Sequence, residues 1–280
     1  TTYYCTAYME QYIDLFANLT PPQKVIWIGG CLTVFWLLEG ARPLFGKAYP
    51  KWSHAGKNFI FLGFTMVINL AMGFVTAGLF TWAAANNFGL LRLVNLSWWI
   101  ELIVTVMWID FIAQYTVHYF LHKVKWMWKF HMVHHSDTMV DATTGTRHHP
   151  GDYLIRETLA LIATVAMGAP FAYYVFYRMC SVLFTYFSHA NIQLPLWLDK
   201  FLSLVFITPN VHKFHHHFER PWTDTNFGNI FSFWDKIFGT WVYDDPKKVV
   251  YGLDVLEDDK ALDIKYQLKV PFNKDIMTDY

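Results

Sequence analysis

The sequence predicts an all-α integral membrane protein, a helical bundle that carries a histidine-rich cap on the cytoplasmic side. Three observations lead to this prediction. Only 16% of the 280 residues are charged, whereas soluble domains carry about a quarter. Four long apolar runs occur along the chain. Twelve of the thirteen histidines lie between residues 118 and 217, and His54 is the exception.

The composition argues against several classes of protein. Lysine plus arginine equals aspartate plus glutamate, 22 of each, so the chain lacks the basic excess of a nucleic-acid-binding protein. Cys5, Cys31 and Cys180 form no CxxC pair, which disfavours a disulfide framework or a thiolate zinc site. The N-terminus has no basic segment before an apolar run, so we do not expect a signal peptide. Because it lacks an initiator Met, we expect that a few residues have been removed.

The apolar runs cover residues 25–41, 59–85, 98–117 and about 158–188. A helix needs about 20 apolar residues to cross a bilayer, so the second run is long enough and the first is borderline. The alternative for each run is a buried helix of a soluble protein. Gly168 and Pro170 break the fourth run, which predicts a helical hairpin. The expected bundle therefore has about four spans, or three spans plus a hairpin.

Basic residues in the loops predict the orientation. The loop between the first two runs contains Arg42, Lys47, Lys51 and Lys57, and Lys123, Lys125, Lys129 and Arg147 follow the third run. Only Arg92 separates the second and third runs. Positive loops stay cytoplasmic, so we expect the N-terminus outside and the histidines on the cytoplasmic side.

The chain reads as one continuous domain with three parts. Residues 1–117 would form the N-terminal membrane helices. Residues 118–241 would form the catalytic core, including the hairpin at 153–188. Residues 242–280, with mixed charge and turn residues, would form a cytoplasmic C-terminal tail.

The histidines occur at helical spacing. Two HxxHH patterns and one HxxxH pattern contain His131, His134, His135, His212, His215, His216, His118 and His122, and His189 stands alone in SHANIQLP. Offsets of three and four residues put side chains on one helix face. Neutral imidazole is the commonest metal ligand. Histidines that are merely solvated, or individually satisfied in a core, would not need three such clusters in a chain poor in polar residues.

Nine imidazoles are too many for one metal ion, since a tetrahedral zinc takes about four ligands. They suit two metals with open positions, and an all-nitrogen set fits Fe, Zn, Cu or Ni rather than Mg or Ca. A metal transporter is an alternative, but it would bind its ion within the spans. A di-haem carrier would use single axial histidines and would not need HxxHH twice.

Carboxylates near such a site would offset the charge of metal ions held by neutral ligands, and second-layer groups would orient the imidazoles. The candidates are Asp110, Asp137, Asp141, Asp152, Glu157, Asp224 and Asp235. Asp110 is the strongest of them, because it precedes His118 by eight residues within an apolar helix. An unpaired carboxylate there would be costly.

Several segments resemble the fatty acid hydroxylase superfamily, which includes sterol desaturases. The segment DFIAQYTVHYFLHKVKWMWKFHMVHHSD resembles the first histidine boxes of that superfamily. The segment TPNVHKFHHH, followed by TNFGNIFSFWDKIFGTW, resembles its final box and the tail after it. SHANIQLP resembles the intermediate histidine. The similarity extends from about residue 110 to 241. It is specific for the superfamily and poorly specific for the substrate.

The resemblance implies a membrane-bound, non-haem di-iron enzyme that hydroxylates, desaturates or oxidatively demethylates a lipid or sterol-like substrate. It implies O₂ as co-substrate and electrons from a separate cytochrome b5 or ferredoxin-type donor with its reductase. The implied iron ligands are His118, His122, His131, His134, His135, His189, His212, His215 and His216. Zinc in the purified protein would not contradict iron as the working metal, because imidazole sites favour zinc over ferrous iron.

The chain departs from the family pattern in ways that leave the reaction type open. Tyr119 replaces a frequent arginine, Gln193 stands where some members have a further histidine, and HPGD puts Asp152 in the acid position. Gln193 could ligate, hold a water or do neither. His149 could ligate or help to bind substrate, and His148 and His217 are expected around the ligands or on the surface.

The alternatives within the same site are aldehyde decarbonylation and ether-bond cleavage. A basic surface of Lys123, Lys125 and Lys129 could receive an acidic electron donor. The competing explanation for these lysines is topology and contact with lipid headgroups.

Overall fold

The apolar runs form long helices in the computed structural model, which describes residues 2–46 and 49–277, with side chains from Glu10 onward. The helices are α1 Thr2–Ala17, α2 Pro21–Ala41, α3 Lys51–Ala85, α4 Trp98–Ile109, α5 Val117–Lys123, α6 Lys125–His135, α7 Pro150–Met167, α8 Phe171–His189, α9 Leu196–Leu202, α10 Pro209–His215, α11 Phe233–Phe238 and α12 Ile264–Lys269. Within the described residues there are two isolated β-bridges and no strand. The all-α prediction is confirmed.

Within the part of the chain that the structure describes, three helical segments are long and apolar enough to cross a membrane. They are α2, the segment Lys51–Leu93 that contains α3, and the segment Trp98–Lys123 that contains α4 and α5. Helix α2 starts at Pro21, four residues before the predicted apolar run of 25–41. Gln23 Oε1 accepts the Thr20 N–H at 2.8 Å there, and prolines suit the first turn of a helix. In the third segment, a π-helical stretch, Asp110–Thr116, connects α4 to α5, so the helix continues past residue 117 to Lys123. His118 and His122 therefore lie on the end of a membrane helix.

The predicted hairpin is formed by α7 and α8. Gly168 ends α7 with a φ of 71°, in the left-handed region. A Cβ there would lie 2.4 Å from the Phe88 carbonyl oxygen, so only glycine fits. Both helices carry charges, including Arg156, Glu157 and Arg178, and neither is among the three apolar segments. The hairpin brings His189, at the end of α8, back beside the start of α7.

Two terminal segments pack more closely than the sequence suggested. Helix α1, which no apolar run predicted, lies along α8, where the Tyr12 ring is 5.7 Å from that of Phe176. The segment 242–277 is not a simple tail. Its Leu253 and Val270 pack with Trp128 of α6 in one apolar cluster, because burying apolar side chains is favourable. Lys47 and the Cys5 side chain lie outside the described residues, and Cys31 and Cys180 are free thiols.

Candidate metal centre

Four helices bring nine histidines to one place. Helices α5, α6 and α10 carry the three patterned clusters, and α8 ends at His189. Each of the nine side chains is buried, with at most 6% of its surface exposed. The nine residues are those that the sequence indicated.

The histidines divide into two compact groups, and within each group one ligand atom per residue lies within 4.8 Å of all the others. The first group is His118, His122, His131, His135 and His215, and the second is His134, His189, His212 and His216. Five imidazoles therefore surround one point and four surround another.

Helical periodicity explains this division. Residues advance by about 100° around a helix, so i and i+4 stay within about 40° of each other while i+3 and i+4 diverge by about 100°. In α6, His131 and His135 join the first group and His134 joins the second. His212 of α10 and His216, which follows the last residue of that helix, join the second group, and His215 joins the first. The i+3 member of each HxxHH pattern thus crosses to the other group.

The spacing of the ring nitrogens fits metal ions. His118 Nε2 lies 3.0 Å from His131 Nε2 in the first group. In the second, His189 Nε2 lies 3.1 Å from both His134 Nε2 and His212 Nε2. Two nitrogens that each bind one ion at about 2.0–2.1 Å lie roughly 3.0–3.4 Å apart. The observed distances match this range.

Buried nitrogens without a partner also fit bound metals. Among the described residues, no hydrogen-bond partner faces His122 Nε2, His212 Nδ1, His215 Nε2 or either ring nitrogen of His135 and His216. A buried polar atom left unsatisfied costs about 1–3 kcal/mol. Because each imidazole gives one nitrogen to a metal ion, an ion in each group would satisfy one such nitrogen on each of His122, His135, His215 and His216.

Backbone carbonyls hold the opposite nitrogens of several rings. His118 Nδ1 lies 2.8 Å from the Phe227 oxygen, and His215 Nδ1 lies 2.8 Å from the Thr225 oxygen. His189 Nδ1 lies 2.7 Å from the oxygen of Thr185. A carbonyl can only accept, so each Nδ1 carries the hydrogen and each Nε2 offers its lone pair.

Two of the seven candidate carboxylates touch these rings directly. Asp152 Oδ2 lies 3.1 Å from His131 Nδ1, and Asp224 Oδ1 lies 3.3 Å from His122 Nδ1. Such carboxylate–histidine contacts raise ligand basicity and would offset part of the charge of two metal ions.

The other five carboxylates act elsewhere. Asp110 and Asp235 accept backbone N–H groups of residues 227–231. They thereby fix the loop whose Phe227 carbonyl holds His118. Asp137 contacts His54 at 2.9 Å and Asp141 contacts Tyr49 at 2.5 Å, while Glu157 pairs with Arg178.

Burial keeps these imidazoles neutral, as metal binding requires. It lowers the pKa of His134, His135 and His216 well below the ordinary value, and repulsion from neighbouring imidazoles lowers it further. Burial also lowers the pKa of His131 well below its ordinary value, although Asp152 opposes the shift. The ligand nitrogens are therefore free of protons near neutral pH.

The remaining candidates lie outside both groups. His149 Nδ1 accepts the Gly151 N–H at 3.0 Å and its Nε2 contacts the Leu268 carbonyl, so it caps α7. Gln193 is exposed. His148 Nδ1 lies 3.0 Å from Asp152. His217 is buried and accepts the Val250 N–H at 3.1 Å.

The candidate basic surface is partly engaged within the protein. Lys123 pairs with Asp224 at 2.6 Å, and Lys129 donates to the Asn273 carbonyl at 2.8 Å. Lys125 is exposed. Tyr119, at the departure from the family pattern, has its ring beside those of Phe120 and Phe227.

A cavity of about 180 Å³ adjoins the histidines. His118 of the first group and His134, His189 and His212 of the second line it, as does His148. The rest of its wall is formed by residues of α2, α3, α7 and α8, by Gln114, and by residues 145–146 and 228–229. A ligand in this cavity would contact both groups. The individual wall residues could not be predicted, because they come from helices that lie far apart in the chain.

The profile of the fatty acid hydroxylase family matches residues 102–240. Human alkylglycerol monooxygenase is 30% identical over 167 residues, 58% of this chain and 35% of that protein. Ornithine lipid hydroxylase OlsE of Rhizobium tropici is 28% identical over 126 residues, 45% of this chain and 37% of that protein. A cholesterol 25-hydroxylase-like protein of Caenorhabditis briggsae is 29% identical over 156 residues, 52% of this chain and 49% of that protein.

The chain spans about a third to a half of the length of these curated relatives. No solved structure matches it significantly.

Proposed function

The chain belongs to the fatty acid hydroxylase superfamily, and from this premise we propose that it is a membrane-bound di-iron oxidase that hydroxylates a lipid with O₂. The observation that carries the proposal is the pair of buried imidazole groups, in which His122, His135, His215 and His216 each have a ring nitrogen with no partner among the described residues. A structural role alone would leave those nitrogens unsatisfied at considerable cost.

The proposed ligands are the five histidines of the first group and the four of the second. When bound, the two ions would supply the reduction of O₂ and its use against an unactivated C–H bond. Asp152 and Asp224 hold His131 and His122 in orientation and offset positive charge. The loop carbonyls of Phe227 and Thr225 fix two further rings. The cavity would position the lipid and limit access of water.

Hydroxylation is the outcome that the relatives favour, because their names describe a monooxygenase and hydroxylases. Alkylglycerols and ornithine lipids are the candidate substrates that these names supply. Desaturation, oxidative demethylation, aldehyde decarbonylation and ether-bond cleavage would each give a different product from the same site. Electrons would come from a separate cytochrome b5 or ferredoxin-type donor.

We expect the histidine site to face the cytoplasm and the N-terminus to lie outside, as the basic loops predict. An epitope tag fused before Thr1 should then be accessible in intact cells, and a tag after Tyr280 should become accessible only after permeabilisation. The reverse pattern would overturn the orientation without affecting the metal site.

The test of function combines metal analysis with product analysis. Protein purified in detergent should hold about two metal ions per chain, since nine ligands exceed the four of one tetrahedral ion. After loading with ferrous iron, and with a reductant and O₂, it should convert a component of a membrane lipid extract to a product heavier by one oxygen. ¹⁸O₂ should label that product.

Two results would count against the proposal. Fewer than one metal per chain, with the histidines intact, would refute the metal site. Two metals with no oxygen-dependent product, across donors of both types, would favour a metal-binding protein without oxidase activity.

A further inference from the structure

A connected group of polar side chains lines the cavity together with the histidines. Arg178 Nη1 pairs with Glu157, and Arg178 Nη2 donates to the Tyr153 hydroxyl at 3.0 Å. Asn69 Nδ2 donates to the same hydroxyl at 2.5 Å. All four side chains line the cavity that His118, His134, His189 and His212 also line. We call these four residues the polar clamp.

The polar clamp joins α3 to the hairpin of α7 and α8. Asn69 lies 18 residues into α3, which is apolar along its length. Glu157 follows Asp152 by five residues on α7, a rise of about 7.5 Å, and the Asp152 carboxylate touches His131. A few convergent polar groups on the wall of a cavity are what orients a ligand in a binding site. The polar clamp is therefore within reach of a lipid whose reacting carbon lies at the histidines.

A purely structural role explains the polar clamp poorly. An ion pair that only joined α7 to α8 could be replaced by apolar side chains without loss, and such replacements often stabilise a protein. The solvent-exposed fraction of the side chain is 27% for Arg178 and 8% for Glu157. The pair is thus directed at the cavity and is not sealed inside the interface between the helices.

The charges at the cavity wall are matched. Arg178 pairs with Glu157, and Arg156 pairs with Asp152 at 3.0 Å. An anionic headgroup needs a cation that is not already neutralised, and a cationic headgroup needs a free carboxylate. The polar clamp offers neither, so its charge balance favours an uncharged ligand.

The hydrogen-bonding capacity of the polar clamp suits hydroxyl groups. The Tyr153 oxygen accepts from Asn69 and Arg178, so its own hydrogen can be donated to a ligand. Glu157 uses one carboxylate oxygen on Arg178, and its other oxygen has no partner within the described part of the chain. A hydroxyl both donates and accepts, so it can bridge Tyr153 and Glu157.

We propose that Tyr153, Glu157, Arg178 and Asn69 bind the uncharged, hydroxyl-bearing headgroup of the lipid substrate. This proposal rests on the proposed oxidase function, because the bound lipid is taken to be its substrate. The test measures lipid affinity and does not require turnover. A lipid held there by its headgroup would extend its first carbons toward the histidines.

The experiment measures the affinity of the full-length, metal-loaded protein in detergent for three lipids with the same hexadecyl chain. Their headgroups are dihydroxypropyl, phosphate and trimethylammonium. The dihydroxypropyl lipid should bind at least tenfold more tightly than either charged lipid. Glu157→Gln and Tyr153→Phe should each weaken its binding about tenfold, as expected for one lost hydrogen bond in a buried site. Tyr153→Phe should leave the affinities for the charged lipids unchanged, whereas Glu157→Gln removes the carboxylate that neutralises Arg178 and should strengthen binding of the phosphate lipid.

The matched controls are Tyr12→Phe and Glu219→Gln. Tyr12 carries a buried hydroxyl outside the cavity, and Glu219 is exposed. Metal content, measured in every variant, identifies any that have misfolded. Equal affinities for the three lipids, or unchanged affinity in both clamp variants with metals retained, would overturn the proposal. Because these outcomes need no turnover, a protein that ranks the headgroups as expected but forms no product would refute only the oxidase function.

Discussion

Replacing His215 by alanine is expected to lower the metal content of the purified protein from about two ions per chain to about one, and to abolish lipid oxidation. His215 belongs to the group of five histidines, where its Nε2 has no other partner among the described residues. Removing a group that hydrogen-bonds to a metal ligand already lowers metal affinity or activity about 10–100-fold. Removing the ligand itself should therefore lower metal affinity at least about 100-fold. Metal analysis and the oxygen-labelling assay measure the two effects.

His134→Ala should produce the same loss from the other group. His134 lies 3.1 Å from His189 and belongs to the group of four. The double variant should then hold almost no metal, because each substitution disables a different site. His217→Ala is the matched control, since His217 adjoins the same cluster but belongs to neither group. Both metals should remain in it.

Two results would contradict the two-group arrangement. If both single variants kept two ions and full activity, the imidazoles would not be the ligands. If either single variant lost both ions at once, the groups would not bind metal independently, and one strongly coupled centre would replace the two sites described here.

Much of this site could be predicted from the residues. The offsets of three and four identify eight of the nine histidines, the resemblance of SHANIQLP to the family's intermediate histidine identifies His189, and the apolar runs identify three helices long enough to span a membrane. The division into two groups could also have been predicted, because adjacent residues such as His134 and His135 point about 100° apart on a helix. That step requires only the periodicity that had already revealed the clusters.

The partners of the histidines could not be predicted. His118 is held by a backbone carbonyl 109 residues away, and His122 by a carboxylate 102 residues away. Every residue has a backbone carbonyl, so the sequence does not indicate which carbonyl contacts a histidine. A carboxylate can be assigned to a histidine only when its position in the fold is known. For the same reason Asp110, the favoured candidate, acts through the loop of Phe227, while Asp152 and Asp224 make the direct contacts.

The segment 242–277 shows a second limit of the sequence. Its mixed charge suggested a solvated tail, yet its carbonyl groups accept from side chains near the metal centre. The Ala261 oxygen accepts from Arg147, and the Leu268 oxygen contacts His149. Backbone acceptors such as these carry no residue-type signal, and the apolar residues of the segment, such as Leu253 and Val270, lie in short helices and turns rather than in one long periodic run.

Arg147→Met is expected to destabilise the protein by about 3 kcal/mol and to empty the group of four histidines before the group of five. The Arg147 guanidinium is fully buried. Its Nε donates to the Val133 carbonyl at 2.9 Å, and its Nη2 donates to Ser136 Oγ at 2.9 Å. Methionine fills the space but leaves several buried acceptors without a donor, each at a cost of about 1–3 kcal/mol.

The effect on the metals follows from the backbone of the same residue. The Arg147 carbonyl lies 3.3 Å from His134 Nδ1, so a shift of residue 147 releases a ring of the second group. The side chain also links the end of α6 to Ala261 and Asn58. Arg147→Lys keeps the charge but cannot reproduce the planar set of donors, so it should rescue only part of the loss.

The measurement is thermal unfolding in detergent together with metal content. For a chain of this size, about 3 kcal/mol corresponds to a fall in Tm of roughly 6–12 °C. Arg92→Met, at an exposed arginine, should change neither Tm nor metal content. If Arg147→Met unfolded at the temperature of the parent protein and kept both ions, the guanidinium would not position His134. The end of α6 would then be held by the apolar packing of Trp128 and Val133 against Leu253 and Val270 alone.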